Sequence, residues 1–149
     1  MLSKSEAETR KIASTMLKEV TNTHPKSALV IGLVGNLGAG KTFFVRSFLR
    51  ELGINKNVTS PTFVLMREYP LPLKSRFRKM FNKAYHVDAY RLNKEDILKA
   101  TKLPSLVDEK KAILLIEWAD RIKKALPKET IWVKLIHGKK ENERKINFY

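Results

Sequence analysis

"LVIGLVGNLGAGKTFFVRSFLRELG", residues 29–53, joins three kinds of sequence in a single run. Leu29 to Val34 is a short, uncharged, β-branched stretch, the pattern of a buried strand. "GNLGAGKT", residues 35–42, follows with three glycines and ends in Lys-Thr. From Lys41 to about Leu52 the residues Phe44, Val45, Phe48, Leu49 and Leu52 share one helical face, and Gly53 supplies the stop. A strand, a glycine-rich turn and a helix in this order point to an α/β protein.

The octet satisfies G-x-x-x-x-G-K-[ST], with the strand before it and the helix after it that a phosphate-binding loop requires. Gly35, Gly38 and Gly40 allow backbone conformations barred to residues with a Cβ. Successive N–H groups, those of Asn36, Leu37 and Ala39 included, can then point inward at phosphate oxygens. The helix that opens with Lys41, Thr42 and Phe43 adds its unpaired amides and its dipole. Lys41 is expected to reach the β- and γ-phosphates of ATP, and the Thr42 hydroxyl to ligate Mg²⁺. Turnover further needs a carboxylate near the metal and a group that places the attacking water. Two strand ends offer acids: Glu117 closes "AILLIE" and is the stronger metal candidate, and Asp88 closes "YHVD" and is the candidate base. Between them and the loop lies "TSPTF", residues 59–63, where Pro61 holds Ser60 extended and Thr62 is a candidate sensor of the γ-phosphate.

Elsewhere the chain reads as a continuous series of short elements, without repeats or a Pro/Gly/Ser linker. Residues 5–20 form a helix with Ile12, Ala13, Met16, Leu17 and Val20 on one face, capped by Ser3 or Ser5. The segments 63–69, 84–90, 112–118, 130–136 and 143–149 read as strands, and "ADRIKKALP" as a helix ended by Pro127. The hairpin-like "HGKKEN" between the last two strands implies antiparallel pairing at one side of the sheet. The expected architecture is one P-loop domain over residues 1–149, a mixed central sheet flanked by helices.

Composition narrows the class further. A length of 149 residues suits one core, and the absence of cysteine excludes disulfides and thiolate metal sites. No run approaches the roughly eighteen apolar residues of a membrane span, and the N-terminus lacks the apolar core of a secretory signal. A soluble, cytoplasmic protein is expected. The formal net charge of +15, from 30 Lys and Arg against 15 Asp and Glu, favours phosphates, RNA or an acidic partner. "KSRFRKMFNK", residues 74–83, concentrates five of these cations around two phenylalanines.

The motifs "GNLGAGKT", "SPTF", "EY", "YHVDAYRL", "IEWAD" and "LP", in this order, resemble the bacterial TsaE (YjeE) proteins over nearly the whole chain. Those proteins are small P-loop ATPases required for threonylcarbamoyladenosine formation in tRNA. The resemblance implies that Thr42 and Glu117 hold Mg²⁺, that Lys41 holds the phosphates, and that Asp88 is the acid needed for hydrolysis. It implies that Ser60, Pro61 and Thr62 respond to the nucleotide, that Thr9 lies near it, and that Trp118 matters for function. His86, Tyr90 and Arg91 match as well, with Arg91 a candidate to stabilise transferred charge. As partners it implies TsaD and TsaB, with tRNA reached through that complex; the basic and aromatic mix of the segment 70–84 itself allows either a decorated hairpin or direct contact of Lys74 to Lys83 with RNA or an acidic partner. The transfer chemistry would belong to TsaD.

Three departures from the family pattern stand out. Ala89 replaces a larger apolar residue, the basic segment 70–84 is longer, and 99–109 lacks an expected glycine. Two other functions suit the same letters. A small-molecule or nucleoside kinase would use the basic segment as an arginine-bearing lid, and an RNA-binding module would use the loop only to hold a ligand.

Overall fold

A computed structural model describes residues 1–21, 27–55, 57–59, 61, 64–91 and 93–149, the side chains of Lys94 and Ile97 aside. Its elements are β1 (Leu2–Ser3), α1 (Glu6–Thr21), β2 (Leu29–Val34), α2 (Lys41–Glu51), β3 (Met66–Pro70) and β4 (Lys83–Asp88). They are followed by α3 (Lys94–Thr101), α4 (Leu103–Val107), β5 (Ala112–Glu117), a 3-10 helix (Ala119–Ala125), β6 (Ile131–His137) and β7 (Arg144–Phe148). The strands form one mixed sheet in the order β1-β7-β6-β2-β5-β4-β3. Its centre is parallel, β6 on β2, β2 on β5 and β5 on β4.

Antiparallel strands lie at both edges, where the sequence pattern indicated one. At the expected edge β7 returns along β6, and the two-residue β1 adds to it. At the other edge β3 pairs antiparallel with β4, because residues 71–82 fold as a long hairpin connection. That connection is the basic segment, and its aromatic residues are anchors: Phe77 and Phe81 are buried in the core beside Leu71. They are therefore withdrawn from any stacking on nucleic-acid bases. Several of its cations have protein partners: Arg76 pairs with Glu51, Lys83 with Glu68 and Glu109, and Arg78 bonds to Asn82.

Strand alternation divides the core into two layers. Leu29, Ile31 and Leu33 of β2, with Ile113 and Leu115 of β5, pack against α1 and α2. Val30, Leu114 and Ile116 face the other way, toward Leu98 of α3, Leu103 and Leu106 of α4, and Ile122. In α1 the residues Ile12, Ala13, Met16, Leu17 and Val20 are buried, as their spacing predicted. In α2 Phe44 and Phe48 have no exposed surface, and each contributes about 2–3 kcal/mol by burial. Gly53 ends α2 with φ 88°. Its N–H bonds to Arg50 O and that of Ile54 to Leu49 O, a paired closure that satisfies two helix carbonyls.

Local backbone chemistry explains the remaining differences in boundaries. Of the segment expected as a strand from residue 63, Phe63 lies outside the described residues, and β3 begins at Met66, just after Leu65 with φ 64°. The strand expected to reach residue 90 ends at Asp88, whose Oδ1 accepts a bond from the Tyr90 N–H at 2.9 Å. The helix after Trp118 is of the 3-10 kind and kinked at Ile122, and it stops at Leu126 because Pro127 holds its neighbour extended. In the stretch where a glycine was expected, Lys102 adopts φ 52° between α3 and α4. A lysine thus occupies a left-handed joint that glycine fills at lower cost.

Candidate functional site

The loop 35–40 runs from the end of β2 to the start of α2, at the carboxyl ends of the parallel strands, where open α/β sheets place their ligands. Gly38 and Gly40 have φ of 75° and 96°. Gly35 has φ 149°, and a Cβ there would lie 2.3 Å from the Leu135 carbonyl oxygen. The loop and β6 approach so closely that only glycine fits at its first position.

Lys41 is only 4% exposed. Its ammonium donates to Gly35 O at 2.6 Å and Asn36 O at 3.0 Å, and it sits 3.5 Å from the centre of the Trp118 ring. Burial lowers its pKa, while Glu117, Asp120 and Asp88 act in the opposite sense. The cation is thus held by neutral dipoles and a π face, close to acids but, among the described residues, paired to none.

Alternation along β4 and β5 gathers the acids. Ala84 belongs to the layer under α2, so His86 and Asp88 emerge on that face. Ile113 and Leu115 place Glu117 there too, and Asp88 lies opposite Glu117 in the parallel register. His86, Asp88 and Glu117 are 0%, 6% and 3% exposed. The Thr42 hydroxyl donates to Glu117 Oε2 at 3.0 Å, and His86 Nε2 lies 2.7 Å from Glu117 Oε1. Thr42 and Glu117 therefore present two hard oxygens side by side, the donor set that Mg²⁺ takes together with waters and phosphates.

Trp118 turns the chain out of β5 with φ 57°. Its ring lies 4.7 Å from that of Tyr90, and Arg121 stacks on both while donating to Tyr90 O. These groups wall a cleft of about 500 Å³ lined by Lys41, Thr42, Asp88, Tyr90, Glu117 and Trp118, with Arg46 and Arg91 also contributing. No residue of 74–83 is among its lining, so the arginine-bearing lid of the kinase reading finds no counterpart at this cleft.

A second cavity of about 390 Å³ opens on the other side of the loop, sharing Gly40 and Phe43 with the first. Thr9 of α1 lines it together with Lys4, Ser5, Asn142 and Arg144. Thr9 is held by the Ser3 hydroxyl at 2.7 Å. Sequence reading missed Arg46, Asn142 and Arg144. Arg46 lies on α2 just past the motif, whereas Asn142 and Arg144 come from the last hairpin and carried no local signal. Ser60 and Thr62 lie outside the described residues.

The chain has relatives among known proteins. Residues 3–146 match the family model "Threonylcarbamoyl adenosine biosynthesis protein TsaE". The chain is similar to the tRNA threonylcarbamoyladenosine biosynthesis protein TsaE of Bacillus subtilis strain 168, 35% identical over 89% of this chain and 76% of that one. It is similar to the Haemophilus influenzae protein of the same name, 33% identical over 85% and 72% of the two chains. In three dimensions it resembles the crystal structure of YdiB from Bacillus subtilis, with a TM-score of 0.71, 28% identity, and coverage of 99% of this chain and 82% of that one.

Proposed function

The chain belongs to the TsaE family of tRNA threonylcarbamoyladenosine biosynthesis proteins, and from that premise we propose that it is a Mg²⁺-dependent ATPase acting as one P-loop domain. It would work in the cytoplasm on behalf of TsaD and TsaB. The observation that carries the reading is the meeting of the Thr42 hydroxyl and the Glu117 carboxylate at 3.0 Å beside the buried Lys41 ammonium.

Thr42 and Glu117 would hold the Mg²⁺, whose charge when bound offsets that of the β- and γ-phosphates. Lys41 exchanges its two carbonyl contacts for phosphate oxygens, and the amides of residues 35–42 close around them. Asp88 orients the attacking water and accepts its proton, and Arg91 at the cleft steadies the transferred charge. Thr62 would respond to the γ-phosphate. The cavity beside Thr9 is of the size and polarity to take the nucleoside end, with Phe43 at its wall. Trp118 and Tyr90 cover the phosphate side.

Occupancy by ATP or ADP would then alter affinity for the TsaB–TsaD pair, which carries the transfer chemistry. Contact with tRNA is assigned to the complex. The partnered cations and buried phenylalanines of the 74–83 segment suit a structural hairpin better than a base-stacking surface. Phosphate release from ATP with Mg²⁺, with and without TsaB and TsaD, tests the proposal. Release that requires Lys41 supports it, whereas phosphate appearing on an acceptor molecule in place of water overturns it in favour of a kinase.

A further inference from the structure

His86 has no exposed surface, yet it is a polar ring inside the layer of the core that carries the acids. Its Nε2 lies 2.7 Å from Glu117 Oε1, while its Nδ1 is buried and has no hydrogen-bond partner among the described residues. That asymmetry fixes the tautomer. A proton on Nδ1 would be a buried donor with nothing to receive it, which incurs a full desolvation cost, so the proton sits on Nε2 and is donated to the carboxylate. The ring thus meets the carboxylate through one N–H, given from Nε2 to Oε1.

We propose that His86 is a positioning residue for the metal-binding carboxylate: it pins Oε1 of Glu117 so that Oε2 alone is presented beside Thr42 Oγ1. This inference rests on the ATPase reading above. Geometry supports the division of labour, since Oε2 is the oxygen 3.0 Å from Thr42. The parallel register sets His86 opposite Leu115, two residues before the Asp88–Glu117 pair, so the ring approaches the carboxylate from the strand side. Thr42 and the cleft lie on the far side. A monodentate, oriented carboxylate suits the strict octahedral demand of Mg²⁺, and outer hydrogen-bond partners of ligands typically govern metal affinity about ten- to a hundredfold.

The test uses the full chain with Mn²⁺ as probe, its affinity for the protein–ADP complex read by electron paramagnetic resonance and ADP affinity read separately in EDTA. His86→Leu is expected to weaken Mn²⁺ binding about ten- to a hundredfold, with ADP affinity in EDTA unchanged within about twofold. His86→Gln, which offers an amide donor near the Nε2 position, recovers most of the loss. In a Glu117→Gln background His86→Leu adds nothing. Mn²⁺ affinity within about twofold of the parent in folded His86→Leu, or a full additional loss in the Glu117→Gln background, overturns the inference. If His86→Leu does not fold, the pair Gln and Asn decides: Asn is one methylene too short to reach Oε1, so equal metal affinities for the two refute the idea. A parent chain that takes up neither ADP in EDTA nor Mn²⁺ with ADP refutes the ATPase reading itself, and this inference with it.

Discussion

Replacing Lys41 with methionine keeps the length and apolar stem of the side chain and removes only its charge. In the free protein two effects oppose. The variant gives up charge-assisted hydrogen bonds to Gly35 O and Asn36 O and the contact with Trp118, worth about 1.5–3 kcal/mol for each hydrogen bond. It also ceases to bury an ammonium, which costs several kcal/mol. The sum is expected to lie within about 1 kcal/mol of the parent in chemical denaturation. Binding of ATP behaves differently. On the proposed ATPase reading the parent would trade two neutral carbonyl acceptors for anionic phosphate oxygens, and contacts between charged partners are roughly twice as strong as those with neutral groups. The exchange gains about 3 kcal/mol, so Lys41→Met should bind ATP with Mg²⁺ roughly a hundredfold more weakly by titration calorimetry. A variant of parental stability that binds within about threefold of the parent would refute the assignment of Lys41 to the phosphates.

The same residue gives a pH prediction. Its folded pKa is lowered by burial, so its protonated form is penalised in the native state at every pH below that value. The penalty disappears as pH climbs from the lowered pKa toward the ordinary lysine value of 10.5. The stability of Lys41→Met relative to the parent should therefore decline across that alkaline window in denaturation series at several pH values. Asp88→Asn should bind ATP as the parent does and lose turnover at least about a hundredfold in single-turnover assays, and equal turnover would remove its role. Gly35→Ala sets a Cβ 2.3 Å from Leu135 O and should cost about 3 kcal/mol in urea unfolding, combining overpacking with backbone strain. Lys102→Gly relieves the φ of 52° and should raise stability by about 0.5–1 kcal/mol in the same assay.

The glycine-rich loop was legible in the sequence because its signal is local: Gly35 to Thr42 are contiguous, framed by a short continuous apolar run and by a helix with a clear period of 3.6. The apolar faces of α1 and α2 were legible for the same reason. What sequence left hidden was adjacency. His86 and Glu117 are 31 residues apart, and only the register of β4 on β5 shows that one ring nitrogen meets one carboxylate oxygen. Asn142 and Arg144 reach the second cavity because β7 folds back beside the loop, which depends on strand order and not on any motif. Phe77 and Phe81 show where letters leave a choice open, since a basic and aromatic composition reads equally as a contact surface or as a decorated hairpin until burial decides for the hairpin. The left-handed φ of Lys102 is invisible in letters, because lysine carries no preference for it.

The face-on contact of Trp118 with the Lys41 ammonium, 3.5 Å from ring centre to nitrogen, supplies the molecule with its own optical gauge. An indole senses the electric field across its ring, so withdrawing that cation toward a bound anion shifts its emission. Trp132, the other indole of the chain, lies by the Lys123 ammonium at 5.4 Å and does not line the cleft beside Lys41. A Trp132→Phe chain would thus report loop engagement in real time without any attached dye.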